Sequence, residues 1–196
     1  MVNEIIKKLI KENINIVQHI YNDQDLHKEI NNISQEIICT LENKHKVLFF
    51  GNGGSAADSQ HVAGEFISKF LFERSPLAGI SLTGDSSVIT SISNDIGFEY
   101  VFSRQIEGLG KEGDIAFAIS TSGNSPNVIE GLKKAKEIGL KTIGFTGLTG
   151  GNMKNYCDHI IKIPSNSVPR IQESHILIIH LICQIVENQI FKNDKK

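Results

Sequence analysis

The strongest constraint on this chain is a change of periodicity at Lys46. Before it, apolar residues recur at helical spacing: Ile5, Ile6, Leu9, Ile16, Val17 and Ile20 form one stripe, and Leu26, Ile30, Ile33, Ile37 and Leu41 form another. The interruption around residues 22–25 predicts a helical hairpin. After Lys46 the chain reads as short apolar runs alternating with helical patterns. Val47-Leu48-Phe49-Phe50 ends at Gly51 and has the continuous apolarity of a parallel strand buried on both faces. Further strands are expected at 78–82, 115–119, 142–145 and 158–163. Helices are expected at 56–70, 87–94, 99–107, 127–138 and 170–191. This alternation predicts an α/β fold, a doubly wound and mostly parallel sheet with right-handed crossovers. Ligands of such sheets bind beyond the carboxyl ends of the strands.

The 196 residues suit one domain, a length that buries roughly 70% of the unfolded surface. It divides into an N-terminal helical pair (1–44), an α/β core (45–165) and a C-terminal helix (166–196). With 20 basic and 22 acidic residues the net charge is -2, and no basic block invites nucleic acid or an anionic membrane. Three cysteines, Cys39, Cys157 and Cys183, include no CxxC pair, which suits a reducing compartment rather than a disulfide framework. Charged residues interrupt the N-terminus, so no secretory leader is expected there, and the apolar stretch 176–183 is too short to span a bilayer. These features predict a cytoplasmic protein.

Two strand-to-helix junctions carry unusual loops, Gly51-Asn52-Gly53-Gly54-Ser55-Ala56-Ala57 and Ser120-Thr121-Ser122-Gly123-Asn124-Ser125-Pro126. Free N–H groups and the positive end of a helix favour an anion at such a junction. Glycine permits close approach of backbone to ligand, and the four hydroxyls of the second loop can donate to phosphate oxygens. Pro126 fits the first position of a helix capped by Ser125. For one loop alone, turns and caps explain the serines as well; two loops on one sheet edge favour a shared ligand. Gly51, Gly53 and Ala56 also match a dinucleotide fingerprint. Its acidic partner would be Asp85, which comes late, and a dinucleotide leaves the second loop without a role.

His61 and Glu65 lie four residues apart on the helix after the first loop, with Asp58 one turn earlier. The pair can hold a divalent metal or place a carboxylate beside an anchored sugar, although on many helices it is a solvated surface pair. His180 sits in an apolar segment, where burial would favour neutral imidazole, as a core residue or as a proton carrier. Asn94-Asp95 ends an apolar helix and reads either as a cap and turn or as a contact for sugar hydroxyls. Gln172 falls near the start of the last helix.

Taken together, the segment from Gly51 to His61 resembles the opening signature of phosphoheptose isomerases, and Ser120–Ser125 resembles the phosphate loop of the wider sugar-isomerase (SIS) domain. Arg170-Ile171-Gln172-Glu173-Ser174-His175, followed by His180, is similar to the last helix of that family. The resemblance runs over essentially the whole chain. It implies conversion of sedoheptulose 7-phosphate to D-glycero-D-manno-heptose 7-phosphate, the first step of nucleotide-activated heptose synthesis for bacterial surface glycans such as lipopolysaccharide. It further implies phosphate contacts from Ser55, Ser120, Thr121, Ser122 and Ser125, and sugar contacts from Asn52, Gly53, Gly54, Asn94, Asp95 and Gln172. A zinc ion held by His61, Glu65, Gln172 and His180, and a homotetramer, are also implied. Pro169 and Lys69 depart from the acidic residue and the arginine that some relatives carry there.

Moving a carbonyl between C1 and C2 needs a base that shuttles a carbon-bound proton and an acid or metal that stabilises the oxyanion. Glu65 is the candidate base, also touching substrate, and His180 the partner on the oxygens; metal ligation competes with base catalysis for Glu65. The rival reading is a non-catalytic SIS adaptor that binds a replication-initiator protein, a relative lacking acid and histidine at these two positions. Finally, Gln172 and His180 are eight residues apart, about 12 Å in an unbroken helix. Either Gln172 lies before the helix proper and curls back to the same zinc, or the two side chains come from different chains. The apolar circumference of 176–182 favours the second, so sites shared between subunits are expected, with Glu65 and His180 from different protomers.

Overall fold

The computed structural model describes residues 2–192. Helices α1 (Val2–Asn22) and α2 (Gln24–Glu42) form the hairpin, with the Asp23 carboxylate capping α2 by accepting from Leu26 N at 2.9 Å. Then follow β1 (Val47–Gly51), α3 (Gly54–Ile67), β2 (Gly79–Ser81), α4 (Ser86–Asp95) and α5 (Val101–Leu109). β3 (Ile115–Ile119), α6 (Pro126–Glu137), β4 (Lys141–Thr146), β5 (His159–Lys162) and α7 (Val168–Ile190) complete the order, with 3-10 turns at Phe98–Tyr100 and Met153–Tyr156.

The five strands pair in parallel in the order β2-β1-β3-β4-β5. Both faces of the sheet are covered, which is why β1 and β3 read as unbroken apolar runs. On one face, Phe49, Phe117 and Phe145 meet α2, α3 and α7; on the other, Leu48, Phe50, Ala116 and Ala118 meet α5 and α6. The strand order reverses between β1 and β3, and both loops singled out in the sequence lie at their carboxyl ends.

Two boundaries differ from the sequence expectation for identifiable reasons. α3 starts two residues early, after Gly53 at φ 55, and stops at Ile67 rather than reaching 70. Its last carbonyls are taken by Arg74, whose guanidinium donates to Glu65 O at 2.7 Å and Phe66 O at 2.9 Å. Arg74 is itself held by Glu187 at 2.9 Å, and the Glu187 carboxylate also accepts from the N–H groups of Phe70 and Leu71, both at 2.8 Å. Both side chains of this ion pair are 1% exposed. Replacing one partner of such a pair costs about 3–5 kcal/mol, because the other charge stays buried. At the other boundary, α7 begins at Val168 and takes Pro169 into its first turn, where a missing N–H does no harm.

Candidate active site

The first loop needs its glycine at the strand end. A Cβ on Gly51 would lie 2.6 Å from Ile119 O and 2.8 Å from Ser55 Cβ, so β1, β3 and α3 converge there only without a side chain. In the second loop Gly123 has φ 65, and a Cβ would meet Gly150 O at 2.3 Å. A third loop after β4 buttresses the second: Gly147 N donates to Thr121 O at 3.0 Å and Met153 N to Gly123 O at 2.9 Å. Asn152 N donates to Asn124 Oδ1 at 2.9 Å, while Asn124 Nδ2 reaches Ser122 O at 3.1 Å.

Ser125 is the N-cap residue of α6 but makes no capping bond; its Oγ lies 3.1 Å from Ser120 Oγ. No side chain caps α3 either, whereas α2 and α4 are closed by the carboxylates of Asp23 and Asp85. The helix ends at the two loops thus keep N–H groups available to an anion. Asp85 is used as the cap of α4, accepting from Val88 N at 3.0 Å, which removes it as a ribose partner. Asn52 pairs with Asn127 across the loops, and a cleft of about 560 Å³ opens beside them, lined also by Ser125 and the Phe98–Tyr100 turn.

The second cluster lies further along α3. His61 Nε2 is 3.3 Å from Glu65 Oε1 and 2.9 Å from Nε2 of His180 on α7. One ligand atom from each of the three lies within 4.8 Å of the others. Tetrahedral ligands at zinc distances stand about 3.3 Å apart, so this donor set fits such an ion with small adjustments. These residues come from one chain, which corrects the expectation that Glu65 and His180 belong to different protomers. α3 buries Val62, Ala63 and Phe66 on the sheet, and this leaves His61 and Glu65 on its flank toward α7. His180 is only half-buried, packed beside Phe70 with ring centroids 5.5 Å apart.

The remaining candidates are distributed. Ser55 is buried, Thr121 half-buried, and Gly53, Gly54 and Ser122 exposed. Gln172 lies within α7, and its Nε2 would be 2.2 Å from a Cβ on Gly54. Its amide therefore rests against the start of α3, about 12 Å of helix rise from His180. Asn94 Nδ2 bonds Asp95 Oδ1 at 2.7 Å at the end of α4. Asp95 faces a separate cleft with Ile80, Leu82 and Arg104, whose wall includes neither loop.

A family profile for the SIS domain matches residues 10–147. The phosphoheptose isomerase of Aneurinibacillus thermoaerophilus is 49% identical over 191 residues, covering 97% of this chain and 96% of that protein. That of Clostridium acetobutylicum is 50% identical over 186 residues, 95% of each. The chain belongs to the phosphoheptose isomerase family. Among solved structures, the phosphoheptose isomerase of Neisseria gonorrhoeae superposes with a TM-score of 0.90 at 38% identity, covering 96% of this chain and all (100%) of that one. The Francisella tularensis phosphoheptose isomerase gives 0.92 at 34%, covering 96% and 99%.

On this phosphoheptose isomerase scaffold, three groups receive no role from the sequence. Asn127, 2% exposed, read as an ordinary helix-start residue. His175 is fully buried, and burial lowers its pKa to about 4; its Nε2 bonds Thr146 O at 3.2 Å and its Nδ1 has no partner. Asp58 is half-buried with Oδ2 unpartnered, and desolvation raises its pKa against the opposing pull of His61. Asp58 did carry a signal, its place one turn before His61. No helix of the described residues is long and apolar enough to cross a membrane.

Proposed function

We propose that this member of the family interconverts sedoheptulose 7-phosphate and D-glycero-D-manno-heptose 7-phosphate by proton transfer between C1 and C2 through an enediol. The observation that carries the reading is the meeting of His61 and Glu65, on the helix that starts at the anion loop, with His180 of α7. From Ser55 to Glu65 the rise is about 15 Å, shortened because helical side chains lean toward the N-terminus. That separation suits an extended sugar with phosphate at one end and carbonyl at the other.

Ser55, Ser120, Thr121, Ser122 and Ser125 hold the phosphate. Asn52, Gly53, Gly54 and Gln172 contact the sugar chain; for Asn94 and Asp95 that role rests on the resemblance alone, since within this chain Asp95 faces a separate cleft. Glu65 moves the carbon-bound proton: its Oε1 faces His61, so Oε2 is the oxygen that takes it. His180 exchanges protons with O1 and O2. His61, Glu65 and His180 would hold a zinc ion, which when bound supplies positive charge for the carbonyl oxygen. Gln172 stands too far along α7 to join them within one chain, and a second copy is the source of such a ligand. α1 exposes Ile5, Ile6, Leu9, Ile10, Ile14 and Val17, an apolar stripe that suits the homotetramer implied by resemblance. The setting is cytoplasmic supply of heptose phosphate for surface glycans. The gathered acid and histidines count against the adaptor reading.

Incubation with sedoheptulose 7-phosphate in heavy water, followed by NMR, tests this. Aldose product with deuterium at C2 is expected; no product and no exchange of the C1 protons overturns it.

A further inference from the structure

We propose that Asn127 is a positioning residue, which orients the Asn52 carboxamide and holds the two anion loops at a fixed spacing. The inference rests on the sugar-phosphate reading above and assigns a part to a residue outside both loops. Asn127 is the second residue of α6, where an asparagine side chain ordinarily turns back to its own backbone. Here it is 2% exposed and directed elsewhere. Asn52 Nδ2 donates to Asn127 Oδ1 at 2.8 Å, and Asn127 Nδ2 donates to Asn52 Oδ1 at 2.9 Å, across 75 residues of chain.

This reciprocal pair has two consequences. First, neither amide can rotate by half a turn alone, because that would set N–H against N–H and oxygen against oxygen. The second N–H of Asn52 is thereby aimed in one direction, on the wall it shares with Ser125. Second, Asn52 belongs to the loop after β1 and Asn127 to the helix after the second loop, so the bonds couple the two strand ends. Ser120 and Ser125 close the second loop on itself at 3.1 Å, but among the hydrogen bonds described, the side-chain link between the two loop regions is the Asn52–Asn127 pair.

The test uses Asn127→Asp, which keeps the shape and changes one donor. A carboxylate at this position accepts from Asn52 Nδ2 but has no proton for Asn52 Oδ1, so two oxygens oppose each other. The neutral carboxylic acid restores both bonds. KM for sedoheptulose 7-phosphate should rise about ten-fold or more near pH 8 with kcat changed far less, and it should recover as pH falls toward the carboxyl pKa. Wild type and Asn127→Ala should show no such recovery. The same pH signature should appear in the thermal shift produced by inorganic phosphate. That readout needs no turnover, so an inactive wild type would sink the isomerase reading and leave this one standing or falling separately. In the wild type, one side-chain amide proton on each of Asn52 and Asn127 should be protected from exchange with solvent. Unprotected amides, or Asn127→Asp and Asn127→Ala that bind phosphate like wild type at every pH, overturn the proposal.

Discussion

The Nε2 atoms of His61 and His180 face each other at 2.9 Å although 119 residues separate them in the chain. Glu65 completes the group from the same helix as His61, so each chain holds its own acid and histidine. Glu65→Gln should lower kcat by roughly 10²–10⁴, as for a positioned acid–base group, with the fold intact. Co-refolding Glu65→Gln with His180→Gln protein should leave the mixture inactive, because every chain carries one lesion in its own cluster. Return of about a quarter of wild-type activity, the fraction for random pairing across a two-fold interface, would place the two residues in different subunits after all.

Metal dependence follows from the spacing of the three donor atoms. Exhaustive chelation should reduce turnover and zinc should restore it. His61→Ala should reduce bound zinc measured by elemental analysis, because the remaining pair offers one imidazole and one carboxylate. Normal turnover by protein verified as metal-free would make the ion incidental.

Replacement of Ser120 and Ser122 by alanine should raise KM, since each bond to a charged oxygen contributes about 1.5–3 kcal/mol. The third loop should still hold the second in place through backbone bonds to Thr121 and Gly123, so Tm should change little. Unchanged affinity for sugar phosphates would reduce the loop to a turn.

Stability should depend on His175 below neutrality. Its folded pKa is about 4, below the ordinary 6.5, so the unfolded chain binds the proton more readily. The contribution is present in full above about pH 6.5 and is lost as pH falls toward 4, amounting to roughly 3 kcal/mol. Denaturant titrations of wild type should show that slope and His175→Gln should flatten it; equal slopes would locate the titrating group elsewhere.

What the sequence disclosed follows from range. β1 and β3 are buried on both faces, so their unbroken apolar runs gave them away, and each loop announced itself because glycine and serine were needed within a few residues. The cluster was half legible: the spacing of His61 and Glu65 is local, but their meeting with His180 depends on how α3 and α7 pack. The 12 Å between Gln172 and His180 was sound arithmetic, yet it concerned Gln172, which rests on Gly54. The premature end of α3 was hidden because Arg74 and Glu187, which cause it, are 113 residues apart. Asn127 was hidden for the same reason, its partner being Asn52.

Arg74 never approaches the sugar loops, yet it grips the carbonyl of Glu65 while Glu187 anchors it to α7, the helix that carries His180. One guanidinium thus joins the helix that carries Glu65 to the helix that carries His180. A genetic screen scored by turnover would place Arg74 variants among the active-site lesions, and only their melting behaviour would reveal a broken hinge pin.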